Sequence, residues 1–325
     1  MTKLVISLAT RGRPAQLIET VNKSIANWAD PNTVMQVQLD ADDAETIAGL
    51  NQNAPHRWFV GPNGPSVILN VQPREDTIAA KWNRAMSIPA DLYLVAADDD
   101  PYITPGYDRK LLDAASLFGD GIGMVYGHMA NLSFSCLVAP TAKLVEKLGY
   151  IQPEYFPYWF CDHWTDDLAR LLGRISVADV RTDQSKVGKT QEMREPGWWA
   201  TWFDAGYLLR RRIAHAIIDS PDFQESEAAK ARQKAMFLRV ENYSKWINDN
   251  VRGQDRQLAH THGQLSLKDE RYQRVKAKAV AMIPQLLEGM QPLEAAKVTG
   301  KLGLTEGCHG CTLGYCLALG LLSTV

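Results

Sequence analysis

Short apolar runs that end in charged residues recur through the first half of the chain. Residues 3–9, KLVISLA, form one such run and stop at the turn-like TRGRP, which predicts a buried strand. Pro14 suits the first position of a helix, and Leu17, Val21, Ile25 and Trp28 then recur at helical spacing. A second run, VMQVQLD at 34–40, predicts a strand that leads into Asp40, Asp42 and Asp43. After a Pro/Gly/Asn-rich loop around 61–65 come another short apolar run and the helical pattern TIAAKWNRAMS. The strand DLYLVAA at 91–97 follows and runs directly into Asp98, Asp99, Asp100 and Pro101. This β-α-β-α-β alternation predicts an α/β fold with a mostly parallel, Rossmann-like central sheet flanked by helices.

Further along, GMVYGHM and SFSCLVA read as strands, and TAKLVEKLG reads as a helix stopped by Gly149. An aromatic segment, PEYFPYWFCDHW, leads into TDDLARLLG. There Thr165 is expected as the N-cap, Gly173 as the C-cap, and Asp166 and Asp167 as first-turn charges. RISVADV is the last strand-like stretch, and the pattern changes near residue 186. A loop with Trp198, Trp199, Trp202 and Phe203 precedes helical stretches at 222–248 and 267–288, in which Val275, Met282 and Leu286 fit one face. The expected organisation is a ligand-binding and catalytic α/β domain over 1–185. A mainly helical region over 186–325 follows, ending in an apolar tail.

Composition adds an asymmetry. The 325 residues carry a formal net charge of -2, which argues against a broad nucleic-acid-binding face. Residues 1–185 hold 15 basic and 22 acidic side chains, net -7, and the remainder 20 and 15, net +5. No apolar run reaches the roughly 18 residues of a membrane span. The N-terminal apolar stretch is too short for a signal peptide, so a cytoplasmic protein is expected (in the host cytoplasm if phage-encoded). Cys136 and Cys161 read as small buried apolar residues. Cys308, Cys311 and Cys316, with His309, fall in GCHGCTLGYC, where no further ligands complete a metal set nearby, and a packed or frayed terminus is expected.

In an open α/β sheet, ligands bind outside the carboxyl ends of the strands. Three polar clusters fall there: Thr10-Arg11-Gly12-Arg13, Asp40-Ala41-Asp42-Asp43 and Asp98-Asp99-Asp100. In extended chain Asp98 and Asp100 project to one side and suit a hard divalent cation whose shell is completed by phosphates. Arg11 and Arg13, before a helix N-terminus, suit the same phosphates. A metal-bridged nucleoside diphosphate matches this set. Trp159, Trp164, Trp198, Trp199 and Trp202 offer faces for a sugar acceptor or simply core, and Trp198-Trp199 is expected on a mobile lid. His128 is read as a crevice-lining or a packed histidine, and His260 and His262 as loop histidines in preference to metal ligands.

ISLATRGRP, QLDADD, KWNRAM followed by DLYLVAADDD, and FCDHWTDDLAR, in that order, resemble the motif series of GT-A-fold glycosyltransferases. The likeness is to family 2-type enzymes, compact phage and bacterial members included, and covers roughly residues 3–185. It implies a nucleoside-diphosphate sugar donor, Mn2+ or Mg2+, and a role for each motif. Thr10, Arg11, Gly12 and Arg13 would contact the nucleotide, Asp40 or Asp42 its base, and Lys81 and Asn83 the ribose or pyrophosphate. Asp98 would lie near ribose and metal, Asp100 would bind the metal, and Asp99 is a further candidate. Asp162, expected just outside the helix, aligns with the family's general base, with Asp166 as second choice. The transfer implied is inverting, to a glycan or another hydroxyl, that of a modified nucleobase or a protein included. Two other readings compete: a nucleotidyltransferase on a similar scaffold, and a non-catalytic nucleotide- or glycan-binding protein of a phage particle. The single glycine in Thr10–Pro14 counts against the first.

Overall fold

The computed structural model describes residues 3–55, 58, 67–127, 137–157, 160–183, 195–235 and 269–304. His128, Cys136, Trp159, His260, His262 and the tail with Cys308, His309, Cys311 and Cys316 lie outside the described residues.

Strands β1 (Leu4–Ala9), β2 (Val34–Asp40), β3 (Val67–Gln72) and β4 (Leu92–Ala97) form a wholly parallel sheet in the order β3-β2-β1-β4. Helices α1 (Pro14–Asn27), α2 (Ala44–Asn53) and α3 (Ile78–Asn83) make the crossovers, and a 3₁₀ turn, Arg84–Ser87, extends α3. Caps set their starts: Pro14 opens α1, Asp43 accepts from Thr46 N–H at α2, and Thr77 accepts from Ala80 N–H at α3. α4 (Tyr107–Ala115) leads to a smaller sheet of β5 (Met124–Tyr126), β6 (Val138–Pro140) and β7 (Ile175–Val177), ordered β6-β5-β7. A bridge between Leu92 and Thr141 links the two sheets. α5 (Ala142–Leu148) and α6 (Cys161–Leu172) fall between β6 and β7. Then come α7 (Pro196–Ala205), α8 (Tyr207–Ile218), α9 (Glu227–Ala235), α10 (Glu270–Ala281), α11 (Ile283–Leu287) and α12 (Pro292–Lys301). The expected α/β architecture with a helical C-terminal region is therefore present. Among the described residues, no helix is long and apolar enough to cross a membrane.

Alternation along the strands sends side chains to two cores. Leu4, Ile6, Leu8, Met35, Val37 and Leu94 face one, with Leu17, Val21 and Leu111. Val5, Tyr93 and Val95 face the other, with residues of α6, α7, α8, α10 and α11, so one apolar cluster draws on both sides of residue 185.

Two local expectations are corrected. The tryptophan segment is a helix, not a lid: Trp199 and Trp202 are buried, and three indole N–H groups each hold a C-terminal partner. Trp198 donates to Leu302 O (3.0 Å), Trp199 to the Tyr272 hydroxyl (3.2 Å) and Trp202 to Ala279 O (2.9 Å). Trp164 is fully buried and stacks on Trp202, so these aromatic faces serve the core. α6, in turn, starts at Cys161 rather than after Thr165. Asp162 therefore lies in its first turn, and Asp166 and Asp167 lie in the second. Thr165 is not a cap; its hydroxyl sits 2.9 Å from Asp162 O and 3.1 Å from both Cys161 O and Gln152 Oε1.

Candidate functional site

The parallel register brings the carboxyl ends of β1, β2 and β4 side by side, with Ala9 level with Gln38 and Ala97. The chain leaves β1 through Thr10, Arg11, Gly12 and Arg13, and Gly12 takes a left-handed φ of 67° that favours glycine. Its N–H is then shared by Asp43 Oδ2 and Thr46 Oγ1, both at 2.9 Å, which fastens the loop to the N-terminus of α2.

Asp98, fully buried at the end of β4, meets this loop directly. The Thr10 hydroxyl donates to its Oδ2 at 2.6 Å, and Arg13 Nη2 lies 2.6 Å from its Oδ1. Arg13 Nη1 also reaches Asp99 Oδ2 at 3.3 Å. Burial pushes the Asp98 carboxyl up from its ordinary value, and Thr10 and Arg13 oppose that only in part. Asp100 comes next, partly exposed. Burial first, and then its charge, push the Tyr102 phenol up.

Asp40, at the end of β2, is the second focus. Lys81 Nζ donates to its Oδ2 at 2.7 Å and to Thr10 O at 3.0 Å, and Arg11 Nη1 donates to Asp40 Oδ2 at 3.1 Å. Arg84 Nη2 stands 3.8 Å from Oδ1. Arg11 also forks onto Asp42 at 2.7 and 3.1 Å, a hydrogen bond that holds Asp42 below its ordinary value. Burial lowers the Lys81 ammonium, and Asp40 offsets part of that. Thus Thr10, Arg11, Arg13, Asp40, Asp42, Lys81, Asp98 and Asp99 are tied together at the strand ends, with Gly12 in the same loop and Asp100 next in the chain after Asp99.

Asn83 does not join them by its side chain. Its Oδ1 accepts the N–H groups of Ile151 (2.9 Å) and Gln152 (3.0 Å), and its amide donates to Gln152 O and Glu154 Oε1. It therefore fastens α3 to the 151–154 segment, from which Gln152 contacts Thr165 of α6.

On α6 the three carboxylates separate by partner. Asp166 is bound by Arg170 Nε at 2.6 Å, and Asp167 by Arg210 Nε at 2.9 Å. Asp162 Oδ1 accepts the backbone N–H of His163 at 2.9 Å and lies 2.9 Å from its Nδ1. Its side chain is 26% exposed, against 9% and 14% for Asp166 and Asp167. Burial pushes the Asp162 carboxyl up, but hydrogen bonding and charge from His163 more than offset this and leave it below its ordinary value.

Sequence reading placed Asp43 in a ligand cluster without its capping role, and missed Arg84 and Arg210. Asp43 carries the capping signal, three positions before Thr46. Arg84 lies one helical turn after Lys81, on the same side. Arg210 shares the i, i+4, i+7 face of Ala214 and Ile217, a pattern that marks burial.

Among the described residues, no group of three or more His, Cys, Asp or Glu is arranged to hold a metal ion. Asp98 and Asp99 both face Arg13. A hard cation here would have one or two carboxylates at most and would complete its shell with phosphate oxygens and water, not a full protein cage.

No family model matches the chain, and no curated protein matches it. Among solved structures it is similar to residues 1–349 of TarS from S. aureus in complex with UDP-GlcNAc. That likeness has 13% identity and a TM-score of 0.49, covering 98% of this chain and 92% of that one. It is also similar to the mannosyltransferase PcManGT from Pyrobaculum calidifontis in complex with GDP-Man and Mn2+. There the identity is 15% and the TM-score 0.45, over 89% of this chain and 88% of that one.

Proposed function

We propose that the chain is a GT-A-type glycosyltransferase that moves a sugar from a nucleoside-diphosphate donor to an acceptor hydroxyl with inversion. The observation that carries this reading is the network of ion pairs in which Arg11, Arg13 and Lys81 interleave with Asp40, Asp42 and Asp98 at the ends of three parallel strands, where such sheets bind ligands. Such a lining holds cations and anions at fixed positions before any ligand arrives, which suits a diphosphate and a polar base.

In this reading, Asp40 or Asp42 faces the base, and Thr10, Arg11, Gly12, Arg13, Lys81 and Asp98 line the ribose and diphosphate. Asn83 contributes by fixing α3, whose Lys81 reaches the crevice. When bound, Mn2+ or Mg2+ would be held by Asp100, with Asp98 and Asp99 as further candidates, and would offset the charge of the diphosphate leaving group. Asp162 takes the proton of the acceptor hydroxyl as its oxygen bonds to the anomeric carbon and the bond from that carbon to the diphosphate breaks. Asp166, the second candidate, is held by Arg170 and is the weaker choice.

A panel of nucleoside-diphosphate sugars, tested by thermal unfolding with and without Mn2+, checks this function. At least one donor is expected to raise the melting temperature, and to do so more with the metal. No stabilisation by any donor under either condition contradicts it.

A further inference from the structure

Lys81, Trp82 and Asn83 close α3, and successive helical positions send their side chains in different directions. Lys81 reaches Asp40 and Thr10. The Trp82 indole N–H donates to Ala96 O of β4 at 2.9 Å, and Ser7 of β1 donates to Trp82 O at 2.9 Å. Asn83 turns instead to residues 151–154 and grips Gln152 at two points. Its Oδ1 accepts the Gln152 N–H and its amide donates to Gln152 O, so the backbone of Gln152 is fixed relative to α3.

The Gln152 side chain, 1% exposed, then meets α6, with Oε1 3.1 Å from the Thr165 hydroxyl. Tyr150, from the same segment, accepts from the Trp164 indole N–H at 3.2 Å. Residues 150–154 therefore hold α3 by one set of bonds and the start of α6 by another. That start is otherwise weakly defined. Its N-cap is Phe160, whose ring has no capping oxygen and whose φ of 77° is left-handed without glycine. Thr165 carries one hydroxyl proton and faces three oxygens: Gln152 Oε1, Cys161 O at 3.1 Å and Asp162 O at 2.9 Å. Given to Gln152, the proton ties α6 to the clamped segment. Turned back onto Asp162 O, it stays within the helix and the tie is lost.

We propose that Gln152 and Thr165 are positioning residues for Asp162. Asn83 sets Gln152, Gln152 holds Thr165, and Thr165 fixes the turn that carries Asp162. The inference rests on the glycosyl-transfer reading with Asp162 as base and deepens it. It gives the helix that binds the donor a fixed relation to the helix that activates the acceptor hydroxyl, the alignment that a displacement at the anomeric carbon needs. Packing alone does not call for this bond, because a matched apolar pair fills such a place at little or no cost.

Nucleoside diphosphate release from the stabilising donor is the test, measured for wild type, Q152L, T165V, T165S, Q152L/T165V and D162N. Melting temperatures and the affinity for UDP or GDP are measured alongside. Q152L and T165V are expected to lose at least about tenfold in kcat with donor KM unchanged, the effect of a small misplacement of a reacting group. T165S keeps the hydroxyl and is expected to keep the rate. The double variant is expected to melt at least as high as either single, since both ends of the buried bond are then apolar, and to stay as slow. A rate restored together with stability in the double variant overturns the positioning role. Wild-type kcat in Q152L and T165V with a slow D162N also overturns it, and leaves the glycosyl-transfer reading standing. If neither nucleotide binds, or D162N turns over normally, the reading itself fails and this inference fails with it.

Discussion

Arg210→Met is expected to lower the unfolding free energy by about 3–5 kcal/mol at pH 7, because it strands a buried carboxylate. Arg210 is fully buried, with Nε 2.9 Å from Asp167 Oδ2 and Nη1 donating to Phe203 O at 2.8 Å. Its guanidinium carbon lies 4.7 Å from the Trp164 ring centre and 4.0 Å from that of Phe203, inside the aromatic core joining α6 to α7 and α8. Methionine keeps the volume, so the missing charge dominates. Burial already pushes the Asp167 carboxyl up, with Arg210 pulling it back, so the variant raises it further. A carboxyl raised in the folded state costs stability above its unfolded value and stops costing once both states are protonated. The deficit therefore shrinks as pH falls from 7 toward the ordinary carboxylate range. Urea unfolding at pH 7 and pH 5 reads both effects. A loss under about 1 kcal/mol at pH 7 refutes the assignment.

Asp162→Asn is expected to leave nucleoside-diphosphate binding intact and to slow transfer by about 10²–10⁴-fold, the usual contribution of a positioned general base. The amide keeps the shape and loses the proton acceptor. The pH dependence follows from the environment of Asp162. Burial pushes its carboxyl up, and His163 pulls it to a net value below the ordinary one. The ionised, active form thus persists through neutral pH, and rate is lost only as pH falls through that lowered value. His163→Gln removes the opposing hydrogen bond and charge and should move this acid limb to higher pH. Nucleoside diphosphate release from the stabilising donor measures both variants. A normal rate in Asp162→Asn moves the base elsewhere.

The strands and their polar ends were readable in the sequence for a physical reason. A parallel strand buried on both faces is an unbroken apolar run, so LVISLA and LYLVAA stand out, and the residues that follow them must lie at the sheet edge where ligands bind. Pairings between distant segments were less accessible. Thr10 and Asp98 are 88 positions apart, and only the register of β1 against β4 makes them partners. The α6 boundary misled because Thr165 looks like a cap, whereas its hydroxyl bonds back into its own helix. Trp198, Trp199 and Trp202 sat among Gly, Pro and charged residues and resembled a loop. Their i, i+1, i+4 spacing is that of a helix face, and Pro196 is its opening residue.

The central claim is that the crevice lined by Arg11, Arg13, Lys81, Asp40 and Asp98 holds a nucleoside diphosphate with a divalent cation at Asp100. Calorimetric titration of UDP and GDP into wild type and Asp100→Ala, with and without Mn2+, tests it most directly. The account predicts that at least one nucleotide binds wild type, that Mn2+ strengthens this binding, and that Asp100→Ala abolishes the gain from the metal. Absence of binding by either nucleotide in the presence of Mn2+ contradicts it.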